Sequence, residues 1–285
     1  MAAPVTESFA EFLDELVGGG LLVPSGVEGV YGRGEVLERI RVAFEQLIAE
    51  EARGYEQLRF PPVLPRRRLE EFGYLESFPH LAAAVHSFEP AGATDLVLCP
   101  AACYPVYPAV AARGALARGG VSVDAGGAYV FRHEPSPDPA RMQMFHQREF
   151  VRIGEPAVVL AWRDEWSERG LELIRSLGLD AQLEIASDPF FGHGGRLLAA
   201  SQREQQLKLE IVVPIADARP TAVASFNYHQ EHFGAACGIE TAEGEVAHTA
   251  CVGFGEERIS LALLRAHGLD PKTWPAEVSG RLWPT

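Results

Sequence analysis

Two stretches far apart in the chain must meet if either is to make sense. One is Phe131-Arg132-His133-Glu134 with its continuation Arg148-Glu149-Phe150; the other is Gly253-Phe254-Gly255-Glu256-Glu257-Arg258. Arg132 follows the strand-like Ala128-Tyr129-Val130-Phe131, and Arg258 opens an apolar helical run, residues 259–264, behind a glycine-flanked turn. A guanidinium keeps its charge at any useful pH, grips phosphate oxygens with two parallel hydrogen bonds and steadies charge that develops on a phosphoryl group. Either string alone is short enough to recur by chance, or to be an edge strand with a solvated ion pair. Their order, spacing and context point to two halves of one ATP site, and so to nucleotide activation.

A chain of 285 residues can bury a large core in one big α/β domain or two small ones. No apolar run approaches the ~20 residues that cross a bilayer, and the N-terminus lacks the basic and apolar regions of a secretory signal. The expectation is a cytoplasmic protein that engages no membrane. The balance of 25 basic against 39 acidic residues, a net charge of −14, argues against a broad nucleic-acid surface, which demands clustered cations. The basic run Arg66-Arg67-Arg68 reads as a solvated helix start after Pro65. Cys99, Cys103, Cys237 and Cys251 in such a chain are not expected to form disulfides, which leaves buried packing, catalysis or metal.

Periodicity predicts helices over residues 8–16, 35–51, 107–116, 155–177 and 195–205 and from Arg258, with short helix through most of 68–85. Strand-like stretches fall at 55–60, 95–98, 128–131, 145–153, 182–186, 208–213, 222–228 and 247–252. No internal repeat, low-complexity linker or domain boundary interrupts them. The strands lie mainly in hairpins, so the expected fold class is α/β in the α+β sense, a mostly antiparallel sheet flanked by helices.

With these segments in view, the chain resembles the catalytic core of a class II aminoacyl-tRNA synthetase. Motif 1 corresponds to the helix from Glu35 and the strand ending at Pro61 or Pro62, motif 2 to residues 131–150 and motif 3 to residues 250–264. The stretch Ala222-Val-Ala-Ser-Phe-Asn-Tyr-His229, together with residues 230–258, is similar to the seryl-tRNA synthetase version in particular. The likeness spans nearly the whole chain, without the coiled-coil arm or anticodon-binding domain of a synthetase, so no tRNA-binding domain and no tRNA partner are expected. A seryl-like core with cysteines at both ends of its site is similar to the amino acid:[carrier protein] ligases.

The resemblance implies a single catalytic domain over residues 1–285, acting as a homodimer through motif 1. It would form an aminoacyl adenylate from ATP and a small amino acid, glycine or alanine, and pass the acyl group to the phosphopantetheine thiol of a holo carrier protein. Arg132 would hold the α-phosphate, Glu134 would lie near the adenine, Phe150 would stack on the base, and Arg258 would grip the γ-phosphate with Mg²⁺. Cys103, Glu149 and Cys251 match the zinc site (Zn²⁺) of these ligases and of methanogen-type seryl synthetases. Three protein ligands leave one tetrahedral position open, where the substrate amine could bind. The other reading of the two cysteines is buried packing. Glu210 is implied for Mg²⁺ or substrate, the alternative being a partner of Lys208, and Asn227 falls beside the amino-acid pocket.

Residues 189–209 correspond to the insertion that the family uses for carrier recognition, with Arg196, Arg203 and Lys208 as a local basic patch for an acidic partner; an ordinary amphipathic surface helix is the alternative. Cys99 departs from the pattern, where threonine is expected before Pro100-Ala101, and Thr221 stands where seryl synthetases often keep a metal-binding glutamate. His146, His229 and His248 read as structural or supporting the site. Two rivals stay open: a minimal seryl-type aminoacyl-tRNA synthetase, and a catalytically silent paralogue serving as a binding or regulatory subunit.

Overall fold

The computed structural model describes residues 8–216 and 219–284, the side chains of residues 193 and 194 excepted. Ser8 starts helix α1 (Phe9–Gly18): its Oγ accepts the Glu11 N–H at 3.4 Å while the Glu11 carboxylate accepts the Ser8 N–H at 2.9 Å. This reciprocal pair satisfies two of the donors that a helix start leaves open. The hairpin β1 (Leu22–Val27) and β2 (Val30–Arg33) leads into α2 (Glu35–Glu51). The helix falls where the apolar spacing of Val36, Ile40, Val42, Phe44, Leu47 and Ile48 predicts it, and its buried face carries Ile40, Phe44 and Ile48 together with Leu37.

The next stretch contains β3 (Glu56–Gln57), β4 (Val63–Pro65), α3 (Arg66–Glu71), α4 (Tyr74–Ser77), β5 (Ala84–Phe88), β6 (Ala91–Leu98) and α5 (Val106–Ala111). Two expectations change here. Strand β3 is only two residues long, and the end of the segment expected to be short helix is strand β5. Pairing of β5 along β6 satisfies its backbone, and such pairing overrides weak local propensity. The run at Arg66 is a solvated helix start, with Arg66 paired to Glu70 and Arg68 to Glu71.

The remainder supplies β7 (Val121–Asp124), β8 (Ala128–Phe131), β9 (Met144–Gly154), α6 (Pro156–Ser176), β10 (Gln182–Ile185), α7 (Gly192–Glu204), β11 (Lys208–Val213), β12 (Thr221–Gln230), α8 (His232–Cys237), β13 (His248–Gly255), α9 (Glu256–His267) and α10 (Ala276–Leu282). An eight-stranded sheet runs β10-β11-β12-β13-β9-β7-β3, with β8 beside β9. Every pairing in it is antiparallel except β3 with β7. This is the mostly antiparallel, helix-flanked α/β architecture expected of a class II synthetase-like core.

The two faces of the sheet differ. One buries Phe150, Phe226, Val252 and Phe254 against Trp166 of α6 and the apolar sides of α2 and α9. On the other, a smaller cluster joins Val151 and Cys251 to Cys103, Tyr107 of α5 and Phe233 of α8, with the Tyr107 and Phe233 rings stacked at 4.2 Å. No helix among the described residues is long and apolar enough to cross a membrane.

Candidate metal centre and nucleotide site

Strand register builds the site. Directly paired residues of antiparallel neighbours share a face, so two rows of side chains cross four strands side by side. One row is Lys208, Asn227, Cys251 and Val151; the next is Glu210, Ser225, Gly253 and Glu149. Cys251 and Glu149 are thereby diagonal neighbours on adjacent central strands. Gly253 stands opposite Glu149, and a Cβ there would come within 2.8 Å of Gln147 Nε2 and 3.1 Å of Glu149 Oε1. The third member of the cluster arrives from outside the sheet. The turn from β6 into α5 carries Cys103, and its backbone N–H donates to Glu149 Oε2.

The ligand atoms of Cys103, Glu149 and Cys251 all lie within 4.8 Å of one another, and all three residues are buried. Burial pushes the Cys103 thiol well up, and its Cys251 neighbour and the Glu149 charge add to the rise. Glu149 is raised as well, again by burial. The fully enclosed Tyr107 hydroxyl is itself raised, by burial first and then by the charges of Cys103, Cys251 and Glu149. A thiol and a carboxyl packed away from water, as Cys103 and Glu149 are, favour their anionic forms only with a cation beside them. Two thiolates and a carboxylate are a zinc-type donor set, and three protein ligands leave a tetrahedral position for a fourth group. The residues therefore fit the metal.

Cys99 stands apart from this set. Its thiol donates to the Ala101 carbonyl at 3.0 Å, burial lifts it to about 12, and it packs with Leu64, Leu69 and Tyr74. It is a core residue of the turn. Cys237 packs at the margin of the smaller cluster.

The two arginines lie near enough for the charge of Arg132 to act on Arg258. Arg132 Nε donates to the Pro100 carbonyl at 3.1 Å, and its guanidinium lies 5.5 Å from the Phe145 ring centre. Arg258 donates from Nε to Ala140 O at 2.7 Å and from an Nη to Ala222 O at 2.9 Å, tying the motif 2 loop to strand β12. Enclosure first, then repulsion from Arg132 and Arg141, bring Arg258 down to about 10. Glu134 is paired with Arg141 at 2.8 Å. Cations set close enough to repel one another form a place for an anion.

Phe150 corrects the sequence expectation. It belongs to the opposite row with Phe226 and Val252, is 0% exposed and lies 4.8 Å from Trp166, so no face of its ring is open to a nucleotide. Neighbouring strand residues point to opposite faces, so Glu149 and Phe150 cannot both enter one site. The aromatic on the Glu149 face is Phe145, which with Pro139, Ala140, Met142, Glu257 and Arg258 lines a narrow crevice. Counting back from Glu149 in steps of two finds it.

Lys208 is the second correction. It is buried rather than displayed, and its ammonium is paired with Asp188 and, at 3.1 Å, with Glu210. A buried, doubly paired ammonium is no docking cation. Glu210 is thus both on the site face and a partner of Lys208. Asn227 turns its amide to Ser225 Oγ at 3.3 Å and Cys251 Sγ at 3.5 Å. Arg196 and Arg203 are exposed on α7, which is tethered to α4 by the stacked rings of Phe78 and Phe190 and by the Phe191 N–H on Ser77 O at 2.8 Å.

No family model matches the chain. It is 45% identical over 276 residues to amino acid--[acyl-carrier-protein] ligase 1 of Bradyrhizobium diazoefficiens, covering 89% of this chain and 84% of that protein. It is 42% identical over 292 residues to ligase 2 of the same organism, covering 94% and 87%. Among solved structures it superposes on the Methanopyrus kandleri seryl-tRNA synthetase, seen in complex with Aquifex tRNA(Sec) (A. aeolicus), with a TM-score of 0.81 at 20% identity. That match takes in 99% of this chain and 62% of the synthetase, and it speaks for the fold alone.

Proposed function

The chain belongs to the amino acid--[acyl-carrier-protein] ligase family, and from that premise we propose that it activates glycine or alanine with ATP and hands the acyl group to the phosphopantetheine thiol of a carrier protein. The observation that supports this reading best is the convergence of Cys103, Glu149 and Cys251 over one sheet face, with Arg132 near enough for its charge to act on both Glu149 and Arg258. In the first step the substrate carboxylate oxygen attacks the α-phosphorus in line and pyrophosphate leaves, giving the aminoacyl adenylate. In the second the thiol sulfur attacks the carbonyl carbon, AMP leaves, and the thiol proton passes to solvent. Neither step needs a nucleophilic side chain, so the protein contributes positioning and electrostatics.

Arg132 would hold the α-phosphate and Arg258 the γ-phosphate, where charge accumulates as pyrophosphate departs; Glu210 is the candidate to hold Mg²⁺, which would supply further charge neutralisation. Phe145 offers the base a stacking face. Cys103, Glu149 and Cys251 would hold zinc, whose open position can bind an α-amine directly and so select an amino acid that has almost no side chain. One methyl group in an apolar pocket is worth only ~1–3 kcal/mol, so glycine and alanine are expected to compete.

The test is amino-acid-dependent ATP-pyrophosphate exchange across the small amino acids, then mass spectrometry of a holo carrier protein and a tRNA pool. Exchange with glycine or alanine and acylation of the carrier alone is expected. Charging of tRNA would favour a minimal synthetase, and absence of exchange with zinc and ATP present would favour a silent binding subunit.

Residues 189–209 serve as the carrier-recognition insertion in a single catalytic domain. Support comes from α7, where Leu197 is 75% exposed beside Phe191 and Leu198, with Arg196 and Arg203 on the same short helix. An apolar patch flanked by cations suits an acidic partner with an apolar contact of its own. Reversing both charges, Arg196→Glu with Arg203→Glu, should slow transfer to the carrier on the order of tenfold at low salt while leaving exchange unchanged. Equal loss of both steps would count against a docking role.

A further inference from the structure

His229 is a residue of β12 that the register with β13 cannot seat. Tyr228 pairs with Ala250 and Gln230 with Thr249, so His229 is the extra residue of a bulge, and Gln230 beyond it takes φ +54°. A positive φ is costly for a residue with a side chain, and bulges of this kind re-aim the residue they contain. Here the imidazole turns to the metal ligands: Nε2 lies 3.5 Å from Cys251 Sγ and Nδ1 lies 3.1 Å from Thr249 Oγ1. The ring is held edge-on by Phe233 at 4.9 Å and Tyr107 at 6.2 Å. It stands outside the set of three whose ligand atoms lie within 4.8 Å of one another.

We propose that His229 is a positioning residue of the metal centre: the bulge aims its Nε2–H at the Cys251 thiolate, and Thr249 fixes the tautomer by donating its hydroxyl to Nδ1. The inference rests on the reading of Cys103, Glu149 and Cys251 as metal ligands. A thiolate carries no hydrogen, so a nitrogen 3.5 Å away must supply the one that they share, which leaves Nδ1 bare and the Thr249 hydroxyl its donor. The Asn227 amide, also 3.5 Å from Cys251 Sγ, supplies a second donor. Two neutral donors on one sulfur lower its charge without neutralising it, orient its lone pairs and tune its bond to the metal. Strain in the bulge persists because the surrounding packing holds it there.

The experiment compares His229→Leu, Thr249→Val and His229→Gln, in which the amide nitrogen of glutamine can replace Nε2, with the parent protein in its full-length form. Zinc affinity is read by competition with a chromogenic chelator, and the thiolate-to-metal charge-transfer band is read after substitution with cobalt. His229→Leu should weaken zinc by roughly 10–100-fold and move the band to lower energy, because a sulfur stripped of a donor gives up its electrons more easily. Thr249→Val should shift both in the same direction by less, and His229→Gln should restore most of each. Parent-like affinity and band position in His229→Leu would overturn the proposal. So would His229→Gln behaving as His229→Leu does, since packing alone would then explain the loss. A parent protein that takes up no zinc would instead remove the metal reading beneath it.

Discussion

Replacement of Cys251 by serine should yield a protein that folds and binds ATP but has lost most of its zinc and its amino-acid-dependent pyrophosphate exchange. Serine is close to cysteine in size, and its hydroxyl would find Glu149, Asn227 and His229 within reach, so the buried site can accept it without a cavity. What it cannot supply is a soft anion. A serine hydroxyl stays protonated where a metal-bound thiol ionises, and two remaining ligands cannot close a tetrahedral site. Losing a group that merely orients a ligand costs ~10–100-fold in metal affinity, so losing the ligand itself should cost well over about a hundredfold, and exchange with it. Metal analysis of the purified variant and exchange assays at saturating ATP check this. Retained stoichiometric zinc with retained exchange would sink the assignment, and Cys103→Ser should behave alike.

Arg258→Lys should leave zinc content untouched and cut exchange by about 10³-fold, within the range that one oriented donor contributes to a developing charge. The reason is geometric. Two nitrogens of the guanidinium are already committed to the carbonyls of Ala140 and Ala222, so one planar group joins the motif 2 loop to strand β12 and, on the proposed function, has to grip the phosphate as well. Lysine offers a single charged point on a flexible stem and cannot hold three directions. The expected phenotype is therefore the complement of the Cys251 variant: metal present, chemistry absent. Exchange near the parent rate in Arg258→Lys would show that the guanidinium does not grip the phosphates.

The elements were legible along most of the chain because caps, periodicity and turn residues act over a few residues. Helix α2 is a case, since Ile40, Phe44 and Ile48 recur at helical spacing and mark one buried face wherever the helix is placed. Residues 84–88 were not legible, because their strand exists only through β6, which lies after them. Phe150 was misread through likeness to motif 2, although alternation along β9 already set it against Glu149. Lys208 was misread for a deeper reason. A lysine in a mixed helix-and-strand segment looks exposed until the partners that make its burial affordable, Asp188 and Glu210, are seen beside it.

From the sequence alone came most helices and most strands, the two arginine motifs, and the identity of the three metal-ligand candidates through resemblance. These depend on local spacing and on residue chemistry, both of which are written linearly. Only the tertiary structure decided that Cys103, Glu149 and Cys251 converge, that Phe150 lies in the core, and that a bulge sets His229 beside Cys251. Those outcomes hang on register: a shift of one residue between β12, β13 and β9 would send each side chain to the opposite face of the sheet, and no short-range pattern records which register the packed sheet adopts.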